Sequence, residues 1–413
     1  MVRSGAYPSA AVGTPRFALK RDAIIAAAAE IINRRGVRGM TLADVAASVG
    51  LITTSVTYYF KRKDDLAAAC FMCAIQRMEA LVVEAMAEAA PSDRLRRLVE
   101  LHLDLDRRIR LGEEPPLAAL GDIRGLNEPN RSATVAAYVT LFRKARELFL
   151  TDSFPWMTKR MATARTYLLI EQMLWFASWL HRYDLDDYSR VGVRMLDILN
   201  NGLMVPGGMW APEGLEGWPP QPLDVAARSR DTFLLAATRL VNRHGYRGAS
   251  VEKISAALNV TKGSFYHHND AKDDLVVACF QRSFDLVRGA QTVAMHMPGD
   301  PWRQLSALTR ALVEHQLSDR GPLLRISALS ALPQTLRAQV IEASNRLSDR
   351  FAGLISDGVA QGVIRPVDPM IAAQMLNATF NAAADLRDHA SGVTRDQVAE
   401  LYAKPLLTGV FSP

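Results

Sequence analysis

The sequence predicts an all-helical protein built from two copies of one unit. Apolar residues recur at helical spacing along most of the chain, with no sustained period-two alternation of the kind that builds sheet. The chain also matches itself: residues 21–71 laid over 230–280 without a gap agree at 18 of 51 positions, and most other core positions exchange one aliphatic for another. The same offset of 209 pairs Phe142 with Phe351 and Met161 with Met370, while the closing segments GLMVP from Gly202 and GVFSP from Gly409 align at 207. Between the copies, Val205 to Asp224 carries a Pro and Gly load that excludes helix and sheet and marks a linker, whose Trp210 and Trp218 are expected to pack on the body.

Each element follows from local chemistry. Residues 21–35 place Ile24, Ala27, Ala28, Ile31 and Ile32 on one helical face, and Gly36 ends the run as a C-terminal cap would. Thr41, with Asp44 three residues on, resembles a helix start, and Ser250 holds the same place in the second copy. A short helix to about Ser48, a turn at Gly50 and a second short helix to about Tyr59 follow. A long helix then opens at Lys63-Asp64-Asp65, whose acids suit the positive end of the helix dipole. Amphipathic stretches come next over 93–110, 132–150, 158–183 and 188–204, with the later counterparts of the last two over 369–388 and 394–409.

Composition narrows the class. The 413 residues suit two or three domains, and 49% hydrophobic content is ample for packed cores, which excludes wholesale disorder. The longest apolar stretches, such as Tyr167 to Leu180 interrupted by Glu171 and Gln172, fall short of the roughly 18 residues that a bilayer-spanning helix needs, so no membrane span is expected. The N-terminus lacks an apolar core and reads as a loose tail, and three cysteines suit a reducing compartment, so the expected location is the cytoplasm. The net charge of +6 permits a nucleic-acid partner. Residues 16–66 hold nine Lys or Arg against five acids and residues 228–275 hold eight against five, so the basicity is confined to these two segments.

Two short helices joined by a tight turn and preceded by a longer helix form a helix-turn-helix, whose second short helix enters the major groove. Gly36-x-x-Gly39-x-Thr41 with Tyr58-Tyr59-Phe60-x-x-Lys63-x-Asp65-Leu66, and Gly245-x-x-Gly248-x-Ser250 with Val260 to His268 and Lys272-x-Asp274-Leu275, are similar to the TetR family of bacterial transcriptional regulators. The motifs cover about 50 residues per copy; the remainder matches in length and helical pattern. The resemblance implies two TetR-like units, each a three-helix head plus a helical regulatory and dimerisation body. The expected boundaries are a flexible tail over 1–15, a head over 16–66, a body over 67–205, a linker over 206–227, a second head over 228–275 and a second body over 276–413.

By the same resemblance, Thr41 and Ser250 cap the first short helix and face the DNA backbone, and Lys63 and Lys272 contact phosphate. Thr53, Thr54, Ser55, Thr57, Tyr58 and Tyr59 form one reading surface; Thr261, Lys262, Gly263, Ser264, Tyr266, His267 and His268 form the other. Val56 and Phe265 face their cores. For Tyr59 and His268, packing on the following helix competes with DNA contact. The first copy departs from the family in Ile52, where Ser or Thr usually caps the recognition helix, and the second in Asn259 and Asn269, where Gly and Phe are usual. Side-chain hydrogen bonds read base edges, so two surfaces this different are expected to prefer unlike half-sites.

Family members dimerise through their last two helices, which places two reading helices ~34 Å apart. In this chain the matching segments are 158–183 with 188–204 and 369–388 with 394–409. They are expected to form an intramolecular pseudo-dimer, compatible with a dimer of pseudo-dimers at high concentration. The linker's 20 residues reach about 60 Å at ~3.1 Å each, enough to join the halves. The implied partners are a double-stranded operator and an apolar or aromatic small-molecule effector that releases a repressor. Tyr138, Phe142, Tyr167, Met173, Trp175, Phe176 and Trp179 make the first body the richer candidate for a ligand pocket, and the same stripe also fits core or dimer interface.

Cys70-x-x-Cys73 stands without the second pair that a zinc site needs, and Cys279 aligns with Cys70 alone, so buried hydrophobes are expected there and no metal. The sequence has no Gly-x-Ser-x-Gly, phosphate-binding Gly loop, His-Glu-x-x-His or dinucleotide fingerprint. Catalytic residues, cofactors and enzymatic activity are therefore not expected. The competing reading is a helical sensor or adaptor in which one head has lost operator binding.

Overall fold

A computed structural model describes residues 14–220, 224–245, 251–257, 272–325, 328–329, 332, 334–385 and 393–413. Among these every regular element is helical, apart from one isolated bridge between Met204 and Ile364. The chain falls into two compact units. One is Met1–Leu148 with Arg243–Gly248, the other Phe149–Asn242 with Ala249–Pro413.

In the first unit, α1 (Pro15–Gly39) starts six residues earlier than its apolar periodicity suggests, because Thr14 caps it and accepts a hydrogen bond from Phe17 N. Gly36, at φ 69°, breaks the helical path where the sequence places its end. Ile24, Ile25, Ala28, Ile31 and Ile32 are buried, the face that the spacing predicts. α2 (Leu42–Ser48) is capped by Thr41, whose Oγ1 accepts from Asp44 N at 3.1 Å and donates to Asp44 Oδ2 at 2.7 Å. Then come α3 (Thr53–Tyr59), α4 (Lys63–Ala85), α5 (Pro91–Arg110), a 3-10 turn (Leu120–Gly125) and α6 (Asn130–Arg146). α6 stops short of the expected 150. By length and composition α4 could cross a membrane, contrary to the sequence expectation, but half of its apolar window is buried among α1, α5 and α6. Arg77 of α4 and Arg108 of α5 share the buried carboxylate Glu114, at 2.7 and 2.8 Å, which ties those two helices to the segment that follows α5.

The second unit opens with α7 (Lys159–Trp179) and α8 (Tyr188–Asn201) of the first copy. α9 (Val225–His244) begins three residues before the expected head boundary, and α10 (Val251–Ala257), α11 (Lys272–His296), α12 (Pro301–Leu317), α13 (Gln334–Ala360) and α14 (Pro369–Asp385) follow. The chain closes through α15 (Arg395–Val398), a wider π turn (Ala399–Ala403) and α16 (Lys404–Thr408). Here the closing helices of the two copies meet. Along α7 and α14, Gln172 Nε2 donates to Met375 O at 2.9 Å and Trp175 Nε1 to Gln374 Oε1 at 3.2 Å, all in buried surroundings where an unmade bond would cost about 1–3 kcal/mol.

The ends of α8 and α16 cross at glycines. Gly202 and Gly409 have φ of 67° and 100°, and a Cβ on either would lie 2.4 Å from a backbone oxygen of the opposite copy, Leu407 O or Asn200 O. That closeness lets the backbones exchange bonds, Leu203 N to Leu407 O at 2.8 Å and Val410 N to Leu199 O at 2.7 Å. An arginine from each copy then caps the other's tail. Arg365 donates to Gly202 O and Asp197, and buried Arg165 donates to Val410 O at 2.6 Å and Ser412 O at 2.7 Å. Burial brings the Arg165 pKa down to about 10, still charged at neutral pH.

The described linker residues 205–220 have neither helix nor strand, as their composition requires, and they lie against the second copy's body. Trp210 Nε1 donates to Glu400 at 2.7 Å, Trp218 Nε1 to Leu286 O at 3.1 Å, and Trp302 Nε1 of α12 to Met209 O at 3.0 Å. Both linker tryptophans thus pack as the sequence suggests.

One pair of equivalent positions separates the copies. Asp231 forms a 2.7 Å ion pair with buried Arg282, whereas its counterpart Asp22 faces Cys73 in place of that arginine. Arg21 is 3.8 Å away, Asp22 Oδ1 has no hydrogen-bond partner, and burial raises the Asp22 pKa, partly offset by Arg21. In urea denaturation, Asp231→Asn should lower stability by roughly 1–3 kcal/mol, because a buried guanidinium loses its charged hydrogen-bond acceptor. Asp22→Asn should instead raise it at neutral pH. A carboxyl with a raised folded pKa contributes stability below the unfolded value and loses it as pH rises through the folded one, so this gain should vanish below the ordinary carboxylate range.

Candidate nucleic-acid interface

α2 and α3 are held in a fixed relation by their buried sides. Val45 and Ala46 of α2 and Val56 of α3 are fully buried, and Gly50, at φ 65°, makes the turn while Leu51 N donates to Ala46 O at 2.9 Å. With Val56 inward, helical geometry turns the rest of α3 outward. Thr53, Thr54 and Tyr58 are exposed; Ser55, Thr57 and Tyr59 are half-buried. Thr57 Oγ1 donates to Thr54 O at 2.9 Å, and Tyr58 presents its phenol with 75% of its surface exposed.

Tyr59 packs backward rather than forward. Its ring lies 4.6 Å from that of Phe17 on α1 and 5.3 Å from Tyr58, so the three aromatics brace the start of α1 against the exposed helix. Lys63 Nζ donates to Arg38 O at 3.3 Å, which places the ammonium at the end of α1. Exposed Arg16, Lys20, Lys61 and Arg62 belong to the same head, and Thr41 is exposed at the start of α2. The surface therefore combines hydroxyls and a phenol that can donate and accept at base edges with cations suited to phosphates.

Ile52 is a residue that sequence reasoning treated only as a missing cap. It makes no capping bond, and 71% of it is exposed at the start of α3, an apolar group fit to meet a thymine methyl. An isoleucine in an otherwise buried apolar pattern carries no signal of exposure until the turn geometry is fixed.

Of the second reading surface, Ser250, Thr261, Lys262, Gly263, Ser264, Tyr266, His267 and His268 lie outside the described residues, as do Phe265 and the side chain of Lys272. The flanking helices repeat the first head's packing. Cys279 Sγ donates to Leu234 O at 3.5 Å as Cys70 Sγ does to Ile25 O at 3.5 Å, and Ile254 and Leu275 are fully buried. All three cysteines are buried; desolvation raises Cys70, and brings Cys73 and Cys279 up to about 11, so the thiols stay protonated at neutral pH.

The candidate pocket residues divide between the units. Half-buried Tyr138 and buried Phe142 sit on α6, while half-buried Tyr167 and buried Met173, Trp175, Phe176 and Trp179 sit on α7. Trp175 is directed to Gln374 of α14, and Trp179 stacks edge-on between Phe176 and Tyr183, at 5.8 Å to each.

A second short helix with one buried face and one exposed face, joined to the first by a tight turn at Gly50 in a basic three-helix head, defines a helix-turn-helix protein of the DNA-reading kind. A sequence profile described as bacterial regulatory proteins, tetR family, matches residues 24–70 and 233–279, and one described as tetracyclin repressor-like, C-terminal domain, matches 298–410. The chain belongs to the TetR family of DNA-binding transcriptional regulators and carries the family's head twice. It is similar to the HTH-type transcriptional repressor DhaR of Mycobacterium sp. (strain GP1), 29% identical over 37% of this chain and 79% of that protein. It is also similar to the HTH-type transcriptional repressor KstR2 of Rhodococcus jostii (strain RHA1), 26% identical over 47% and 98%. Among solved structures, AibR in its apo form is 25% identical with a TM-score of 0.37, over 43% of this chain and 97% of that one.

The inward and outward faces of α3 should respond oppositely to truncation. Val56→Ala is expected to cost about 2 kcal/mol of stability. Tyr58→Ala should cost no more than about 1 kcal/mol of stability, the worth of its edge contacts with Phe17 and Tyr59, and weaken binding to a selected duplex by roughly 5- to 100-fold, the worth of one base contact; thermal melts and fluorescence anisotropy check both.

Proposed function

We propose that this protein is a repressor in which a single chain reads an asymmetric operator with two unlike heads, and which a small apolar or aromatic effector releases. The observation that carries the reading is the crossing at Gly202 and Gly409, where the closing segments of the two copies exchange backbone bonds and each is capped by an arginine of the other. This joins within one chain the segments through which separate family members are expected to pair, so the chain acts as a pseudo-dimer whose pairing is independent of concentration. Repression is the role that the names of the relatives DhaR and KstR2 carry, and it is the sign proposed here. The two heads differ at most reading positions, Thr53-Thr54-Ser55-Val56-Thr57 against Lys262-Gly263-Ser264-Phe265-Tyr266, so their half-sites should differ.

Selection of bound sequences from a random duplex pool, followed by a salt titration on the selected site, tests this. The expected outcome is a non-palindromic site with two unlike half-sites and a log–log salt slope of about −0.9 per phosphate neutralised. Light scattering at nanomolar concentration should give the mass of one chain. A palindromic site with a strictly two-chain particle would overturn the pseudo-dimer, and no enrichment would favour the sensor reading.

A further inference from the structure

Two asparagines at equivalent positions make the same unusual contact. In α1, Asn33 Nδ2 donates to Leu117 O at 2.8 Å, and Ala119 N donates to Asn33 Oδ1 at 2.8 Å. In α9, Asn242 Nδ2 donates to Leu323 O at 2.9 Å, and Arg325 N donates to Asn242 Oδ1 at 3.0 Å. In both copies a side-chain amide pairs with the N–H and C=O of residues two apart, as a neighbouring strand would, and so grips an extended loop that leaves the body.

The loops correspond in sequence too. Pro116-Leu117 and Pro322-Leu323 stand at an offset of 206, not the 209 that relates the heads, so three residues separate this correspondence from the register of the heads. Asparagine is a mediocre helix former, yet it stands inside both helices four residues before the first residue past the helix-ending glycine, and it is one of the positions at which the copies agree. Neither Asn33 nor Asn242 is on the outward face of α3 or its counterpart.

Each loop is also held from the body side. In the first unit the clamped loop follows Glu114, which Arg77 and Arg108 grip, and further on Asp122 Oδ2 accepts from Val37 N at 2.5 Å while Asn127 Nδ2 donates to Asp64 Oδ2 at 2.6 Å. In the second unit, Leu323 N donates to Gln316 Oε1 of α12 at 2.8 Å and Leu324 N to Ser283 Oγ of α11 at 2.9 Å, while Arg239 of α9 adds a further bond to Gly321 O at 3.1 Å. The first helix of each head is therefore tied by fixed-geometry bonds to a loop whose other end belongs to the helical body.

We propose that Asn33 and Asn242 are positioning residues that set the angle of each head against its own body, so that DNA affinity depends on them although they do not reach DNA. A neutral amide holding two backbone groups in a fixed plane restricts rotation about α1 or α9 in a way that apolar burial, which is non-directional, does not.

The test uses the full chain and a duplex selected with the unsubstituted protein. Spin labels on cysteines introduced at exposed Ala47 on α2 and exposed Val135 on α6 report the head-to-body distance, since the natural cysteines are buried. Asn33→Ala should broaden the distance distribution and weaken DNA binding five- to twenty-fold at a temperature where circular dichroism shows the chain fully folded. The second variant is Ala119→Pro, which deletes the N–H that bonds Asn33 from the loop side at a residue whose φ of −65° already suits proline. It should reproduce both effects with Asn33 in place. Asn242→Ala should weaken the footprint over one half of the site and Asn33→Ala over the other. An unchanged distance distribution with unchanged affinity in both first-copy variants would overturn the proposal. So would a fall in thermal stability with affinity per folded molecule intact, the mark of a purely structural role.

Discussion

The close crossing of two glycine backbones is the constraint on which the second unit depends. Gly202 and Gly409 each occupy a left-handed region where a side chain is strained, and each lies so near the other copy's main chain that a Cβ would overlap a carbonyl oxygen. Because nothing intervenes, main-chain donors and acceptors at the ends of α8 and α16 satisfy one another, and Arg165 and Arg365 complete the set from opposite sides. These are bonds to backbone, indifferent to side-chain drift, so the two copies can diverge widely elsewhere and still close on each other. Gln172 and Trp175 extend the same contact along α7 and α14 with buried polar bonds that fix the register of the two helices.

Divergence shows in how each head keeps its charge. The second copy balances a buried guanidinium, Arg282, with Asp231, while the first carries Asp22 against a cysteine and tolerates a carboxyl that burial makes harder to ionise. The thiol that packs on the first helix is retained in both, Cys70 on Ile25 and Cys279 on Leu234. Core geometry is thus repeated where van der Waals fit decides it, and electrostatics are rebuilt locally wherever the neighbours permit.

The interface for DNA follows from the same economy of means. One fully buried residue, Val56, fixes which side of a two-turn helix is hidden, and every other feature of α3 is a consequence of helical phase. The aromatic brace of Phe17, Tyr58 and Tyr59 sets the Tyr59 ring, tilted, against Phe17 of α1, a contact other than the packing on the following helix that the sequence suggests. An exposed Ile52 at the start of the reading helix gives the first head an apolar contact where a hydroxyl cap would otherwise stand.

The sequence by itself determined the helical class, the duplication, the ends of the two short helices of the first head and its helix-turn-helix, because these rest on local rules: period, caps, a glycine at a left-handed turn and an ungapped internal match. Thr41, Gly36 and Val56 were legible for that reason. Only the tertiary structure decided where Ile52 and Tyr59 point, that Trp175 meets Gln374, that the linker is laid on the second body, and that Asn33 and Asn242 clamp loops more than 80 residues away. Each of those joins groups far apart in the chain through directional bonds, and no periodicity along the sequence records which distant partner a side chain will find once the helices have packed.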